Sequence, residues 1–453
     1  MKTQNFTQEQ LNKLTEFRQK VYDQVFTVRR DAQFELLDAL VSKGKMPSFP
    51  WLSTAGCFRR AWPSVYDAVE QGQQDTDWLA AYLARQVPAS GIRYYALDAT
   101  GWARGEGRTL PGRQYIYQPG KNLNGKPVAA GYAYSLLDWV PEPRQSWSLS
   151  VDLARVPGEG TDLEVGVQQV KALCEARADL STVLDIIVGD CKYSSPTFLS
   201  AVKGQACGIV ARMRKDRVLY HAPEPKPDKS PGRPRKHGRR FAFKEPESWD
   251  EPAEFIPLEQ PHWGRVELRR WPHLHGKGAA DISFDVVQAQ VHLERTKPPA
   301  PLWLLWLAPP NIPPGIAVTA ETIWHGYDHR WPIEPNIRFR KQQLMWTSPQ
   351  FHTPQAGDRW SIIVSLAVWT LYLARPMAQD CPLPWQPPQI KLTPNRVRQA
   401  MVDIFAQIGT PTTPPQSREN SPGWPKGKQR KRRKRHSVVK KQAKTPQSAA
   451  IPA

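Results

Sequence analysis

Apolar residues recur at a helical period in the first part of the chain. Leu11, Leu14 and Phe17 fall three residues apart, and a second helical stretch extends over residues 65–85. This pattern therefore predicts a helical N-terminal region over residues 1–88. Both DNA binding and simple packing remain open for this region, because it carries no readable helix-turn-helix signature.

The period changes to that of strands in the middle of the chain. Residues 94–98 form a short apolar run that predicts a strand ending on Asp98. Residues 132–140 and 147–156 predict two more strands, joined by a Pro-rich turn. Since so short a connection joins antiparallel neighbours, we expect the first strands of the sheet to be antiparallel.

A helix and a buried strand follow. Thr161 and Glu164 form the capping box of an amphipathic helix. Residues 183–188 are almost all apolar, as in a strand covered on both faces, and Asp190 ends the run. A short helix and a strand at residues 208–213 complete the order strand-strand-strand-helix-strand-helix-strand. This order predicts an α/β fold with a mixed sheet.

The rest of the chain departs from this order. Residues rich in Pro, Lys and Arg, followed by short alternating runs, predict an inserted β-rich subdomain with a basic loop. A strand at residues 303–307 returns to the core, and helices are predicted over residues 319–344 and 358–375. The Pro, Ser, Lys and Arg composition of the C-terminal end predicts disorder. The predicted units are the helical region 1–88, the first part of the core 89–215, the inserted subdomain 216–300, the second part of the core 301–410 and the tail 411–453.

Charge is concentrated in two short segments. The 453 residues carry a formal net charge of +20. Residues 421–453 hold eleven Lys and Arg and no acidic residue, and residues 226–244 hold eight Lys and Arg against Asp228 alone. A polyanionic partner is indicated, and double-stranded DNA is the first candidate.

Five cysteines are scattered without a CxxC pair. This spacing argues against a disulfide framework or a structural zinc site and fits a reducing, cytoplasmic location. The N-terminus lacks an apolar signal core. The most apolar helical run, residues 362–373, is too short to span a bilayer. We therefore expect a soluble protein with no membrane partner.

Asp98 and Asp190 each end a predicted strand of the core. Sites in such sheets form at the ends of neighbouring strands. Two carboxylates there, joined by a third from a helix, could bind two divalent cations about 3.5–4 Å apart that act on a phosphodiester. A single Asp at such a place more often only caps a strand or turn, so the third element decides. Asp185 is a rival for the second acid, but it lies within the apolar run.

The third acid lies in a charged segment near the predicted last strand. Tyr327, Arg330, Glu334 and Lys341 follow the spacing Y-x2-R-x3-E-x6-K and would share one face of a helix. A carboxylate flanked by two cations and a phenol suits a metal ligand beside donors to phosphate oxygens. The alternative is a solvated charged face, which the surrounding apolar residues disfavour.

Two prolines flank Glu334. Pro332 and Pro335 predict a kink or a restart of the helix, because a proline ring removes a hydrogen bond and clashes with the preceding turn. After a restart, Glu334 would lie near a helix N-terminus, where a carboxylate is favoured.

These motifs resemble those of DDE transposases of the insertion-sequence class that includes the IS4 and IS701 groups. The resemblance rests on Asp98 in ALDAT, Asp190 in IVGDCKYSS, the Y-R-E-K segment and the large insertion before it. It spans residues 90–375. It implies a ribonuclease H-like core with an inserted β-rich domain ahead of the Glu helix.

The resemblance also implies roles for individual residues. Asp98, Asp190 and Glu334 would be the catalytic acids and would bind two Mg²⁺ ions, with Mn²⁺ as a substitute. The phosphates of the transposon end would be contacted by Tyr327, Arg330 and Lys341. A homodimer would assemble on the paired DNA ends.

Further DNA contacts are suggested by the basic segments. Arg233, Arg235 and Lys236 lie in a stretch that resembles an AT-hook core, in which an extended Arg-Pro-Arg unit enters an A·T minor groove. A plain solvated loop is the equal alternative. The run at residues 430–435 predicts a tail that binds phosphates, against one that only aids solubility.

A metal site of another kind is weakly suggested. His325 and His329 are spaced i, i+4 and could bind zinc, but no further soft ligand accompanies them in the sequence.

The leading hypothesis is a cytoplasmic, nucleoid-associated DNA transposase. It would cleave transposon ends and join them to target DNA in a metal-dependent reaction. The alternatives are a non-catalytic DNA-binding protein and a ribonuclease H-like nuclease without strand transfer. Carboxyl groups that lie far apart would favour the non-catalytic alternative.

Overall fold

The fold is given by a computed structural model that describes residues 8–44, 46–118, 127–225, 233, 235–293, 299–416, 427 and 432–441. The helices are α1 (Gln8–Lys20), α2 (Arg30–Ser42), α3 (Pro63–Glu70), α4 (Thr76–Gln86), α5 (Asp162–Ala176), α6 (Pro196–Val202), α7 (Ala320–Asp328), α8 (Ile333–Gln342), α9 (Pro354–Ala374) and α10 (Pro394–Ile408). The strands are β1 (Phe26–Val28), β2 (Gln73–Gln74), β3 (Gly91–Ala103), β4 (Gln114–Tyr117), β5 (Val128–Trp139), β6 (Leu149–Arg155), β7 (Val183–Gly189), β8 (Cys207–Met213), β9 (Val218–Tyr220), β10 (Arg240–Ala242), β11 (Glu254–Gln260), β12 (Gly264–Gly276), β13 (Ala279–His292) and β14 (Leu302–Leu307).

The N-terminal region is helical, as predicted, but its second helical stretch is divided. In place of one helix over residues 65–85, α3 and α4 flank the short strand β2, which pairs with β1. Gly72 allows the break, because a Cβ there would lie 2.1 Å from the carbonyl oxygen of Ala68. Asp75 then caps α4 by accepting a hydrogen bond from the N–H of Trp78 at 2.9 Å.

Twelve strands form one mixed sheet, which confirms the predicted α/β class. Their order is β10-β9-β12-β13-β14-β8-β7-β3-β5-β4, with β11 paired to β12 and β6 paired to β5. The strands between β9 and β14 continue the sheet that contains β3. The β-rich character expected for residues 216–300 is therefore present, within one continuous sheet.

Five strands of this sheet follow the predicted sequence order. β3, β5 and β6 are antiparallel neighbours, α5 crosses over, and β7 and β8 then pair in parallel beside β3. Their order in space is β6-β5-β3-β7-β8. The capping box at the start of α5 is present, with both hydrogen bonds between Thr161 and Glu164 formed. β4 is an addition that the sequence did not predict.

The long apolar helix α9 crosses the core. The run Pro354–Met377 is long and apolar enough to cross a membrane by length and composition, so the expectation that it is too short was wrong. However, 78% of its most apolar stretch is buried inside the protein. Buried Trp360 and Trp369 lie on it, and Trp369 stacks on Trp139 of β5. Its apolar character is therefore accounted for by packing.

The C-terminal residues that the structure describes are placed against the rest of the protein. Thr412 is buried and accepts a hydrogen bond from Arg59 through its carbonyl oxygen at 3.0 Å. Val439 pairs with Gln114, the first residue of β4. The described residues of the C-terminal tail thus make contacts that are distant in sequence. Residues 417–426, 428–431 and 442–453 of the tail predicted to be disordered lie outside the described residues, so the disorder stays a prediction.

Candidate active site

Asp98 and Asp190 lie side by side because of the register between two parallel strands. The pairing of β3 with β7 ends at Leu97 opposite Gly189, so each acid is the next residue on its strand. Asp98 is 17% exposed. Burial raises the pKa of Asp98, and the neighbouring charge of Asp190 acts in the same direction. The two acids thus share one electrostatic environment.

The placement of Asp98 on its strand differs from the prediction. Asp98 does not end β3, which continues to Ala103 through its pairing with β5. The strand continues because Asp98 faces Leu136 across an antiparallel ladder after its parallel neighbour has stopped. One side of β3 is therefore left open from Asp98 onwards.

Asp190 begins a 3-10 helix, Cys191–Ser194. Its carboxylate accepts a hydrogen bond from the N–H of Lys192 at 3.0 Å. The preceding Gly189 is required by a close approach, since a Cβ there would lie 2.5 Å from Cδ2 of Tyr193. The rival Asp185 lies within β7 and is paired with Arg177 at 2.8 Å, so it faces away from this cluster into a separate ion pair.

Asp162 and Lys192 join the cluster, and the sequence did not single them out. Lys192 Nζ lies 2.9 Å from Asp162 Oδ2 and 3.9 Å from Asp98 Oδ1. Burial and the charges of Asp98, Asp162 and Asp190 raise the pKa of Tyr193 well above its usual range. The spacing of Lys192 two residues after Asp190 was the only local signal, and the position of Asp162 depends on how α5 packs.

Arg330 links the third acid to the first. Its Nη1 donates to Glu334 Oε1 at 2.9 Å, and its Nη2 lies 3.6 Å from Asp98 Oδ2. Burial disfavours the charge on Arg330, but Asp98, Tyr327 and Glu334 outweigh it and raise its pKa. Arg330 Nε has no hydrogen-bond partner among the described residues. The guanidinium is thus held between two carboxylates with some of its donors unused.

The Y-R-E-K residues do not share one continuous helix. α7 ends at Asp328 and α8 begins at Ile333, with Pro332 at the N-cap. The expectation of one helical face was therefore wrong, and the restart expected from the prolines is present. Glu334 is the second residue of α8, where the positive end of the helix dipole favours a negative charge, and it is 53% exposed.

Lys341 and Tyr327 approach the cluster from opposite sides of this break. Lys341 Nζ donates to Thr100 Oγ1 at 2.6 Å and to the carbonyl oxygen of Gly101 at 2.9 Å. Burial lowers the pKa of Lys341. Tyr327 is half-buried on α7, and its influence on the pKa of Arg330 places it near that guanidinium.

Metal binding is compatible with the donor chemistry but is not preformed. Among the described residues, no three His, Cys, Asp or Glu side chains lie close enough together to hold a metal ion. Asp98 and Asp190 are adjacent, and Glu334 is connected to Asp98 only through Arg330. Carboxylates are nevertheless the donor type that Mg²⁺ takes in proteins. Their negative charge is balanced here by Arg330 and Lys192.

The remaining candidates lie apart from the acids. Arg233, Arg235 and Lys236 are exposed on the connection between β9 and β10, and five strands separate β9 from β3 in the sheet. Pro234, between the two arginines, lies outside the described residues.

His325 and His329 do not act as a pair of metal ligands in this arrangement. Nδ1 of His329 is hydrogen-bonded to the carbonyl oxygen of His325 at 2.7 Å, and the His329 ring stacks on Tyr94. The His325 side chain faces Glu321 instead.

Comparisons with known proteins agree with this site in part. The cryo-EM structure of a piggyBac transposase synaptic complex with hairpin DNA is similar at 12% identity over 90% of this chain and 81% of that chain, with a TM-score of 0.37, too low to support an argument. No curated protein is significantly similar to the chain. The family model described as DDE superfamily endonuclease matches residues 21–273, which include Asp98 and Asp190 and end before Glu334. The match covers more than half of the 453 residues, and the chain therefore belongs to the DDE superfamily endonucleases.

Proposed function

We propose that this protein is a DNA transposase of the insertion-sequence class, with a ribonuclease H-like core and the Y-R-E-K arrangement of the IS4 and IS701 groups. The core assignment is supported by the order β6-β5-β3-β7-β8, in which three antiparallel strands precede two parallel ones. The observation that carries the activity is that the β3–β7 register places Asp98 beside Asp190, while Arg330 connects Asp98 to Glu334.

Asp98, Asp190 and Glu334 would hold two Mg²⁺ ions, which Mn²⁺ could replace. Their carboxylate oxygens are the ligands that such cations take in proteins. When bound, the ions supply activation of the attacking oxygen and neutralisation of charge at the phosphodiester. Since Arg330 lies between two of these carboxylates, we expect it to release Asp98 when the site is loaded.

Arg330 is suited to bind a DNA phosphate after that release. Its contact with Asp98, at 3.6 Å, is too long for a hydrogen bond, and its Nε is unpartnered among the described residues. A guanidinium can donate two parallel hydrogen bonds to phosphate oxygens. Lys341, anchored on β3 beyond Asp98, and Tyr327 would contact the same backbone.

DNA is the proposed partner both as the transposon ends that are cleaved and as the target that they join. The transposon ends would be cleaved and then joined to target DNA by a homodimer assembled on the paired ends. Arg233, Arg235 and Lys236 are exposed, as a minor-groove contact requires, and would bind DNA away from the catalytic acids.

The test is cleavage of a supercoiled plasmid that carries the coding sequence with its native flanking DNA. We expect cuts at the flanks with Mg²⁺ and the wild-type protein, and none with Asp98→Asn or Asp190→Asn, while both variants still bind the DNA. Asp281→Asn is the matched control, since Asp281 is an exposed aspartate that pairs with Lys203 and does not belong to this cluster. Wild-type cleavage by Asp98→Asn or Asp190→Asn would contradict the proposal.

A second plasmid in the same reaction separates a transposase from a simple nuclease. Products that join the cut ends to the second plasmid support strand transfer. Cut ends that are never joined would leave a ribonuclease H-like nuclease as the function.

A further inference from the structure

The basic C-terminal segment, residues 432–441, is fixed to the protein by its backbone. The N–H of His436 donates to the carbonyl oxygen of Arg108 at 2.8 Å, and the N–H of Val439 donates to that of Arg113 at 2.7 Å. Val439 also forms a parallel bridge with Gln114, the first residue of β4. The segment therefore lies along a strand edge that would otherwise be unpaired.

A buried arginine completes this attachment. Arg113 is 3% exposed, and its guanidinium donates to the carbonyl oxygen of His436 at 3.2 Å. The same guanidinium donates to the carbonyl oxygens of Arg104 and Gly105 at 3.1 and 3.0 Å. One buried group thus ties the segment to the end of β3, so its position does not depend on the exposed charges.

The exposed charges of the segment are not neutralised. Arg432, Arg433, Lys434, Arg435, Lys440 and Lys441 are all exposed, and residues 432–441 contain no acid. Within the described part of the chain, no carboxylate lies within 4 Å of these six side chains. By contrast, Arg239 and Arg240 of the inserted region are paired with Asp250 and Glu245.

The segment is connected through Arg113 to the end of the strand that carries Asp98. Arg104, which the Arg113 guanidinium contacts, follows Asp98 by six residues along β3. At a rise of about 3.3 Å per residue, Arg104 lies about 20 Å from Asp98 along the chain. Arg433 Nη1 also donates to the carbonyl oxygen of His352, beside Phe351, whose carbonyl oxygen accepts from Arg104.

We propose that residues 432–441 form a fixed phosphate-binding surface for the DNA duplex that enters the catalytic site. The proposal rests on the proposed function, since it assigns the same DNA to both places. A fixed array of cations binds phosphates without first being ordered, whereas a flexible tail loses conformational freedom on binding. Loss of the backbone attachment and loss of the positive charges should therefore change DNA binding in two distinguishable ways.

The test uses the full-length protein and a fluorescein-labelled blunt duplex of about 30 base pairs, close to three turns, without Mg²⁺. The paired change His436→Pro with Val439→Pro removes both backbone donors and keeps all six cations. Ser437→Pro is the matched control, because the N–H of Ser437 has no hydrogen bond among the described residues. Arg432→Gln, Arg433→Gln, Lys434→Gln and Arg435→Gln are combined in a third protein.

The paired proline protein should bind the duplex at least tenfold more weakly, which corresponds to about 1.4 kcal/mol, and Ser437→Pro should bind like the wild type. The four-glutamine protein should lower the slope of log K against log salt by about 3.6 if all four cations contact phosphates, since each contact contributes about 0.9. Wild-type affinity of the paired proline protein, or a wild-type slope of the four-glutamine protein, would overturn the proposal. Because no cleavage is measured, absence of cutting in the plasmid assay would count against the proposed function alone.

Discussion

Two arginines ten positions apart, Arg330 and Arg340, each face an aspartate of the central sheet, and their surroundings are opposite. Arg340 and Asp138 are both fully buried, with Nη2 and Oδ2 2.7 Å apart. Arg340 also donates to Asn336 Oδ1 and Ser150 Oγ. Neither Arg340 nor Asp138 has a buried side-chain N or O atom without a hydrogen-bond partner in the described structure.

Arg330 is paired in a more open way. It is 18% exposed, holds Glu334 at 2.9 Å and approaches Asp98 only to 3.6 Å. Its Nε remains without a partner among the described residues. A guanidinium in this state can change partners, whereas Arg340 cannot leave without stranding a buried charge.

The comparison separates structural from functional use of the same pair of groups. A closed network fixes β5 and β6 to α8, through Asp138, Ser150 and Arg340. The open network around Arg330 leaves its Nε without a partner among the described residues, as the proposed binding of a phosphate requires. The unpartnered Nε of Arg330 beside two carboxylates therefore distinguishes it from Arg340, although both arginines form ion pairs.

The largest effect should come from breaking the closed pair. Arg340→Ala should lower the free energy of unfolding by about 3–5 kcal/mol, because it leaves the Asp138 carboxylate buried and unpaired. Arg330→Ala should cost less than about 1 kcal/mol, since that guanidinium is partly exposed and its pairs are screened. Urea unfolding of the two variants measures the difference. Equal destabilisation of both would mean that the Arg330 pairs are structural as well.

The cleavage rate should depend on Arg330 much more strongly than the free energy of unfolding does. Arg330→Ala should reduce the cleavage rate on the order of 10²–10³-fold, as expected for loss of one preorganised donor to developing charge. The control is Arg338→Ala, which removes an exposed arginine from the following helix α8. Single-turnover cleavage measured for both proteins tests this expectation. A rate for Arg330→Ala within the range of the Arg338→Ala protein would remove Arg330 from the site.

A smaller, pH-dependent effect is expected at a buried histidine that has no carboxylate partner. His275 is 4% exposed and hydrogen-bonded to His237 at 2.9 Å, and burial together with the charges of His237 and His221 lowers its pKa. When the pKa of a histidine is lower in the folded than in the unfolded state, its contribution to the free energy of unfolding is fully present above the unfolded-state pKa, near 6.5. That contribution is lost as the pH falls through the folded-state pKa.

Substitution of His275 should reduce this dependence. His275→Gln should flatten the decline in melting temperature between about pH 7 and pH 5, a range that brackets the ordinary pKa of histidine. Substitution of the half-exposed His292 is the control, since its ring faces Glu267 and does not belong to this histidine pair. Identical pH profiles of the melting temperature for the wild type and His275→Gln would show that protonation of His275 does not affect the stability of the fold.

Local sequence predicted the elements better than the site. The capping box of Thr161 and Glu164 and the apolar run of β7 each contain their own signal, and both elements are present. The end of β3 could not be predicted, because Asp98 lies where one neighbouring strand stops and the other continues. That position depends on register, which residues 94–98 do not encode.

Contacts between distant parts of the chain account for the other differences. The break between α7 and α8 was foreseen from Pro332, but the bridge from Arg330 to Asp98 depends on where α8 packs. The attachment of residues 432–441 depends on backbone groups of residues 108 and 113, which composition does not reveal. Basic composition alone therefore gave no sign of these backbone contacts.

The most direct test of the account is Mg²⁺-dependent cleavage by Glu334→Gln against Glu321→Gln. Both changes remove one carboxylate charge from an exposed glutamate of the α7–α8 region, and Glu321 faces only His325 in the described structure. With the plasmid that carries the native flanking DNA, we predict no cleavage by Glu334→Gln and wild-type cleavage by Glu321→Gln, with equal DNA binding. Cleavage by Glu334→Gln at the wild-type rate would contradict the claim that three acids form one catalytic centre.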